Sequence, residues 1–567
     1  MASTASRAAL SEEYGPVLHS EKPEHNTSTP SLAEVQQSSQ DPTATPHMEE
    51  EQWVSGFKLI PILTAVTLAC LLMLLDTSIV VTAIPRITSE FHSLADVGWY
   101  GAAYQLSSAV LQPLTGKFYS NFDSKWTFMA FFALFEAGSL ICALSTSSTM
   151  LIVGRAVAGM GISGILNGAV TIIAGCVPMS KRPQYLLISV PAAQLGLVLG
   201  PLIGGLLTQF TTWRWSVLLA FSRVPNMLSK AAPKSVIRTL PGKLDLIGFT
   251  IFAPAAIQLL LALQWGGNKF AWNSAQIIGL FCGAGGMFIV FMAWDYHRGD
   301  AAMIPSSLAG TRIVWSSCLA YAFIVGQLVC VSYYLPIYFQ GVKGASPTMS
   351  GVYVLPSFIS HVIAAISSGF LVGRTGYYLP YILIGSIMVA ISTGLLSTLS
   401  PTTSTGKWIG YQIIGGAGRG LGMQVVRSLS SLQTHYHQLI PAPQPIIAVQ
   451  NTLPFTQIPD AMALLMFAQA FGGALMLSFS DTIFTNSLKN LIPKYAPSVN
   501  PQTVIDAGAT GFRSFIKGEE LKGVLVAYAK SVDRVFYLTA GAAVGCFAFG
   551  WFMGWKDVRS KKEVSKA

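Results

Sequence analysis

Charge is scarce in this chain. Of its 567 residues only 11% are Asp, Glu, Lys or Arg, against 52% apolar ones, whereas a soluble globular protein carries about 25% charged residues. The scarcity is uneven: residues 183–213, 313–342, 375–406 and 535–555 hold no charged side chain at all. About 20 residues at 1.5 Å rise cross a hydrocarbon core of roughly 30 Å. These windows exclude a soluble globular fold and imply a polytopic, all-α membrane protein.

Other absences narrow the function classes. No G-x-x-x-x-G-K-[ST] phosphate loop occurs, which removes direct ATP hydrolysis through that motif. The seven cysteines (70, 142, 176, 282, 318, 330, 546) fall inside apolar segments without disulfide or metal-ligand spacing. They read as small buried hydrophobes, and no metal or cofactor is expected. No cleavable signal peptide is expected either, because residues 1–52 are polar and rich in Ser, Thr, Pro and Glu. They read as a disordered cytoplasmic tail, where the "NTS" at Asn26 would not meet the glycosylation machinery. The net charge of +10 is no nucleic-acid signature: residues 1–56 hold nine acidic groups against Arg7 and Lys22. The basic excess therefore sits among the membrane segments, as the positive-inside bias of cytoplasmic loops requires.

Apolar segments of spanning length fall near 58–85, 98–116, 127–146, 150–176, 185–208, 245–265, 275–294, 313–339, 349–372, 379–399, 408–424, 460–483 and 535–555, thirteen in all. Lys117, Lys125, Lys181, Arg182, the basic run from Arg223 to Lys243 and the final "WKDVRSKKEVSK" all belong in the cytoplasm by charge. The 223–243 run then requires a sixth crossing before it. Only "SVLLAFS" at 216–222 is available, and seven residues cover about 10 Å as helix. The design is fourteen crossings with both ends cytoplasmic and a truncated sixth. A weak internal repeat pairs "GKFYSNFDSK" (116–125) with "GFLVGRTGYY" (369–378), and "GRAVAGMGISG" (154–164) with "GGAGRGLG" (415–422). Such repeats place a binding site between the two halves near the midplane.

Inside the first segment, "LLMLLDTSIVVTAIP", Asp76 is the only charge between Lys58 and Arg86. A charge at mid-helix costs roughly 2.5–3.5 kcal/mol on insertion scales, which marks Asp76 for function. Arg155 either snorkels from a helix end or is a buried cation that modulates a nearby carboxylate on a proton or substrate path. Gly159, Gly161 and Gly164 beside it admit a neighbouring helix or a substrate. In "QLGLVLGPLIGGLL", Gly196, Gly200 and Gly204 recur every four residues on one helix face, and Pro201 permits a bend there. Gly205 completes a tandem pair. Tyr104, Gln105, Asn167, Gln194, Gln327 and Tyr333 are polar groups able to line a substrate cavity or to pair with neighbouring helices. Glu136 in "ALFEAGSL" either bears a proton or sits near the interface, and His361 shares the ambiguity of the polar groups. His435 and His437 are not expected to bind metal.

"LLDTSIVVTAIP", "GRAVAGMGISG" and "LGPLIGGLL", in this order, resemble the drug:proton antiporters of the major facilitator superfamily. "KLDLIGF" (243–249) and "YYLPIYFQGVKGASP" (333–347) are similar to its fourteen-spanner branch, particularly fungal toxin and multidrug efflux pumps. The resemblance covers about residues 53–560. It implies the major facilitator fold, two six-helix halves plus two extra central helices. It also implies proton coupling through Asp76, next to Thr77, with Arg155, and an exporter motif on Gly196, Gly200, Pro201, Gly204 and Gly205.

The chain departs from that pattern in three places. The loop after the second helix has Ser120, Asp123 and Ser124 where the family's G-x-x-x-D-x-x-G-R-K has its acid, its second glycine and its arginine. After "TTWRW" (211–215) the aromatic-Asn-Leu-Pro start of a full sixth helix is missing. Between "GRGLGMQ" and "PIIAVQN" stand twenty extra polar residues, 425–444. A retained intron fits this insert, whose length keeps the reading frame, with Val425 supplying GT and Gln444 compatible with AG. An evolved cytoplasmic loop is the alternative.

The expected organisation is a tail (1–52), an N-terminal half (53–228), two linking helices with a cytoplasmic loop (229–300), a C-terminal half (301–556, containing the 425–444 insert) and a basic tail (557–567). The expected function is proton-coupled export of apolar organic molecules such as fungal secondary metabolites or xenobiotics, by a monomer in the plasma membrane. The partners are that small-molecule substrate, protons and the lipid bilayer, with no nucleic acid and no enzymatic activity. The alternatives are import or organellar transport of a siderophore, basic amino acid or other metabolite, a non-transporting membrane sensor, and an inactive mis-spliced product.

Overall fold

In lipid no backbone N–H or C=O can be left bare, so each long apolar run closes its polar groups into a helix. The computed structural model describes residues 59–176, 182–214, 245–267, 269–299, 302–304, 306–375, 377–423, 425–426, 441–442 and 458–555. Thirteen long helices follow one another among them: α1 (Leu59–Glu90), α2 (Val97–Asn121), α3 (Ser124–Ala143), α4 (Ser148–Cys176), α5 (Arg182–Phe210), α6 (Leu246–Trp265), α7 (Ala275–Arg298), α8 (Arg312–Ile337), α9 (Pro347–Thr375), α10 (Leu379–Leu396), α11 (Thr405–Met423), α12 (Ile458–Tyr495) and α13 (Gly518–Phe552). Ten of these are long and apolar enough to cross a membrane, so the chain is a multi-pass, all-α membrane protein. The short sixth crossing expected at 216–222 lies outside the described residues, as do the 1–52 tail, Asn26, His435 and His437.

α1 packs on α5 and α2 on α4, with α3 beside α4; in the second half α8 packs on α12 and α13, and α11 on α9 and α10. The halves meet along α2 against α12 and α5 against α9. α6 and α7 form a hairpin over the α2–α12 seam. There Phe252 of α6 gathers Phe288, Phe291, Phe467 and Phe471, ring centroids 5.8, 5.2, 5.4 and 6.4 Å away. Leu106 and Val110 of α2 close the same cluster. The other face of α7 turns Ile289, Val290, Met292 and Tyr296 outward, as a lipid-facing helix does. Cys282 of α7 is exposed too. The expectation that every cysteine is buried therefore fails there, because an apolar segment at the rim of a membrane protein buries its side chains in lipid.

At one end the halves are latched. Ser89 Oγ of α1 and Thr510 Oγ1 of the α12–α13 connection lie 2.8 Å apart, Thr88 Oγ1 accepts from Ala509 N–H at 3.2 Å, and Gln340 Nε2 donates to Thr82 O at 3.0 Å. Gly508 has φ +79°, and a Cβ there would lie 2.5 Å from Ser89 N and Thr88 O, so glycine is demanded both by the backbone region and by the approach. Gln340 sits in a π-helical turn, Tyr338–Val342, that continues α8. Nearby, Trp213 Nε1 and Arg214 Nη1 donate to the two carboxylate oxygens of Glu90 at 2.7 and 2.9 Å. The "TTWRW" stretch thus ties the end of α5 to the end of α1.

α12 continues to Tyr495 and α13 begins at Gly518, leaving short helices Pro501–Asp506 and Gly508–Gly511 between them. Burial of Tyr528 against Phe484 and Phe512, centroids 5.7 and 4.8 Å away, holds the polar first turns of α13 in the bundle. Asp123, which breaks the family loop pattern, is the N-cap of α3, its Oδ1 accepting from Lys125 N at 2.8 Å. At the 425–444 insert α11 has already ended, and Val425–Val426 pairs antiparallel with Pro441–Ala442.

Candidate functional site

Asp76 and Arg155 sit on different helices, α1 and α4, each 1% exposed. Arg155 Nη1 donates to Asp76 Oδ2 at 2.7 Å, forming an ion pair. The guanidinium is fixed from α2 as well: its Nε donates to Tyr100 O at 3.1 Å, and its carbon lies 3.9 Å from the centroid of the Tyr104 ring, a cation–π distance. Arg155 therefore does not snorkel. Asp76 Oδ1 has no hydrogen-bond partner, so the pair keeps one acceptor unspent. Thr77 is turned away from the carboxylate, its Oγ1 donating to Met73 O at 2.9 Å and Tyr104 Oη at 3.3 Å.

Glycines make this convergence possible. A Cβ at Gly159 would overlap Tyr104 O and Ser107 Oγ of α2, and one at Gly161 would overlap the backbone of Phe135 in α3. The α4 glycines admit helices, not substrate. Opposite Asp76, Ser78 Oγ donates to Gly196 O at 2.9 Å. A Cβ at Gly196 would stand 2.6 Å from Leu71 O, and one at Gly204 would stand 2.7 Å from Ile79 O. The every-fourth-residue face of α5 is thus the seat of α1. The next face meets the other half: a Cβ at Gly205 would lie 2.7 Å from Pro347 O, and Pro201 O abuts Gly351 of α9. The helix carrying Asp76 and the partner half grip the same glycine-lined helix.

The polar candidates divide. Tyr104 and Tyr333 join the pair; Tyr333 comes from α8 of the other half, is buried, and lies in electrostatic reach of Arg155 and Asp76. Gln105 borders α12, where a Cβ at Gly473 would stand 3.4 Å from its amide nitrogen. Asn167 is spent on helix pairing, accepting from Gln112 Nε2 at 3.1 Å and donating to Thr115 Oγ1. Gln327 belongs to the C-terminal bundle, away from the pair. The side chain of Gln194 lies outside the described residues. Glu136 is buried in α3.

Two charged residues were missed by the sequence reading. Asp481 of α12 is fully buried at the α2–α12 seam beside Gly98 of α2, where a Cβ would lie 2.5 Å from Asp481 Cβ, and it forms no ion pair among the described residues. Arg419 of α11 is equally buried, with a single hydrogen bond. The signal available for both was a charge inside an apolar window, 460–483 for Asp481 and 408–424 for Arg419.

The profile described as Major Facilitator Superfamily matches residues 66–222. The MFS-type transporter pigP of Monascus ruber is 56% identical over 522 residues, covering 90% of this chain and 88% of that protein. The efflux pump mlcE of Penicillium citrinum is 47% identical over 546 residues, covering 93% and 95%. Among solved structures, a bacterial homologue of the human lysosomal transporter Spinster, in an inward-facing and occupied conformation, matches with a TM-score of 0.56. It is 16% identical, with 88% of this chain and 97% of that chain covered.

Proposed function

This chain belongs to the major facilitator superfamily, as a relative of fungal MFS-type transporters and efflux pumps, and we propose that it exports apolar organic molecules in exchange for protons. A transporter, not an enzyme, is the plain consequence of the family; export, proton coupling and the plasma membrane with cytoplasmic termini are our reading. The observation that carries it is the buried Asp76–Arg155 pair, with Asp76 Oδ1 unspent on a helix gripped by the glycine face of α5.

Moving a proton onto Asp76 removes the negative charge that balances Arg155. A buried pair that loses one charge leaves the other uncompensated, at a cost of about 3–5 kcal/mol. That cost is relieved when the halves rearrange, so proton binding favours one arrangement and proton release the other. With the latched end facing outside, Asp76 loads from outside once the latch opens and discharges toward the cytoplasm.

The test is transport of Nile red by proteoliposomes holding the full chain, with and without an imposed pH gradient. Wild type accumulates the dye in the acidic compartment, against the dye's own gradient, as protons leave it; Asp76→Asn loses gradient-driven accumulation but still equilibrates the dye. Gradient-driven accumulation by Asp76→Asn at the wild-type rate would overturn the proton role.

A further inference from the structure

Arg419 is the buried cation that the proton mechanism leaves unused. It is 2% exposed, and its guanidinium spends only Nη2, donated to Ser357 Oγ of α9 at 2.5 Å. Nε and Nη1 have no partner. Among the described residues the ion pairs are those of Asp76, Glu90 and Glu519, none with Arg419. Arginine does not shed its proton in proteins. An unpaired charge in a low-dielectric interior is strongly unfavourable, so something must balance this one where it lies.

A small cavity opens beside it, enclosed by Ile324 and Gln327 of α8, Gly385 and Ser386 of α10, Gly422 of α11 and Cys546 of α13. Its polar lining is one-sided. Gln327 is 2% exposed and its Nε2 has no partner. Ser386 Oγ already donates to Ile382 O at 2.7 Å. His361 of α9, also 2% exposed with both ring nitrogens unpartnered, lies in electrostatic reach of Arg419. Donors accumulate here, and among the described residues no carboxylate pairs with Arg419. The contrast with Arg155 is direct: that arginine has Asp76, and this one has an empty space edged by N–H groups.

We propose that this cavity binds a small monovalent inorganic anion of halide size, held by Arg419 Nε and Nη1 and the Gln327 amide, which completes the C-terminal bundle. Every wall comes from helices of that bundle and none from the N-terminal half, so the occupant is not the organic cargo that must pass between the halves. The bound anion does for Arg419 what the carboxylate does for Arg155, without fixing a charge in the sequence.

The experiment uses the purified full-length chain in detergent, its melting temperature followed in sodium chloride, sodium bromide and sodium gluconate at matched ionic strength. A ligand of the folded state raises the melting temperature with its concentration. Wild type melts higher in chloride and bromide than in gluconate, saturably. Arg419→Met removes the halide dependence, and Gln327→Leu raises the half-saturating chloride concentration about tenfold, the loss of one hydrogen bond to a charge. If Arg419→Met does not fold, Gln327→Leu carries the test alone. Equal wild-type melting in all three salts would overturn the proposal. So would an unchanged halide response in Arg419→Met, or an unchanged half-saturating concentration in Gln327→Leu.

Discussion

Gly200 and Ser78 touch so closely that a methyl group at position 200 would overlap the Ser78 hydroxyl. That hydroxyl is already engaged with Gly196 O at 2.9 Å, so it cannot turn aside without giving up its bond across α1 and α5. Gly200→Ala must push the two helices apart. Overpacking of this kind costs about 1–3 kcal/mol, and the displacement falls two residues from Asp76. Gly200→Ala is expected to lower the melting temperature modestly and to reduce dye export more than tenfold at normal surface abundance. Gly279→Ala, on α7 with open space around it, is the control that changes neither.

Arg155 and Asp76 should show strong non-additivity. Each single neutral substitution, Asp76→Asn or Arg155→Met, strands a buried charge or a buried carboxyl and is expected to destabilise by about 3–5 kcal/mol. The double variant strands neither and should recover much of that loss in a thermal melt, although transport stays absent. Simple addition of the two losses would contradict the pairing.

Asp481 should behave in the opposite way. Its carboxyl is buried without an ion pair among the described residues, so Asp481→Asn preserves shape and breaks none. Its unfolding free energy is expected to match wild type to within about 1 kcal/mol, far from the loss expected at Asp76. A drop as large as that of Asp76→Asn would show that Asp481 is engaged.

Asp96, in the turn before α2, offers a pH test. Burial pushes its carboxyl above the ordinary carboxylate range, and the hydrogen bond from Ser148 Oγ opposes this without reversing it. A raised folded-state value favours the protonated form. Its contribution to stability is therefore fully present below the ordinary value and is lost as pH rises through the raised one. The melting temperature of Asp96→Asn should fall less than that of wild type over this interval. Identical pH profiles would remove the assignment.

Much of this architecture is legible in the chain, because a membrane makes hydropathy the main determinant of where helices lie. The thirteen apolar segments correspond to α1–α13. The windows underestimate length where a helix leaves the hydrocarbon: α13 starts at Gly518 rather than near 535, and α12 runs twelve residues past 483. Asp481, two residues from the end of its window, is therefore interior to α12. Asp76 and Arg155 were visible as rare charges within familiar motifs, but their 2.7 Å contact depends on tertiary structure. Which polar side chains join them does too. Tyr333 does so from the other half, while Asn167 turns to α2; nothing in one segment states which face a neighbour will cover.

Attachment of the α6–α7 hairpin is unequal on its two sides. Toward α12 it is pinned: Thr482 Oγ1 donates to Leu263 O at 2.8 Å, Gln264 Nε2 to Ser478 Oγ at 3.1 Å and Lys489 Nζ to Gly267 O at 2.9 Å. Toward α2 its contacts are the side chains that surround Leu106 and Val110 and the attraction between Asp295 of α7 and Lys117 of α2, and such less directional contacts tolerate sliding better than hydrogen bonds do. The hairpin, although it joins the halves in the chain, is thus an outrigger of the second one. When the halves rock, the joint that must yield runs along α2, and the lipid around α7 travels with the C-terminal bundle.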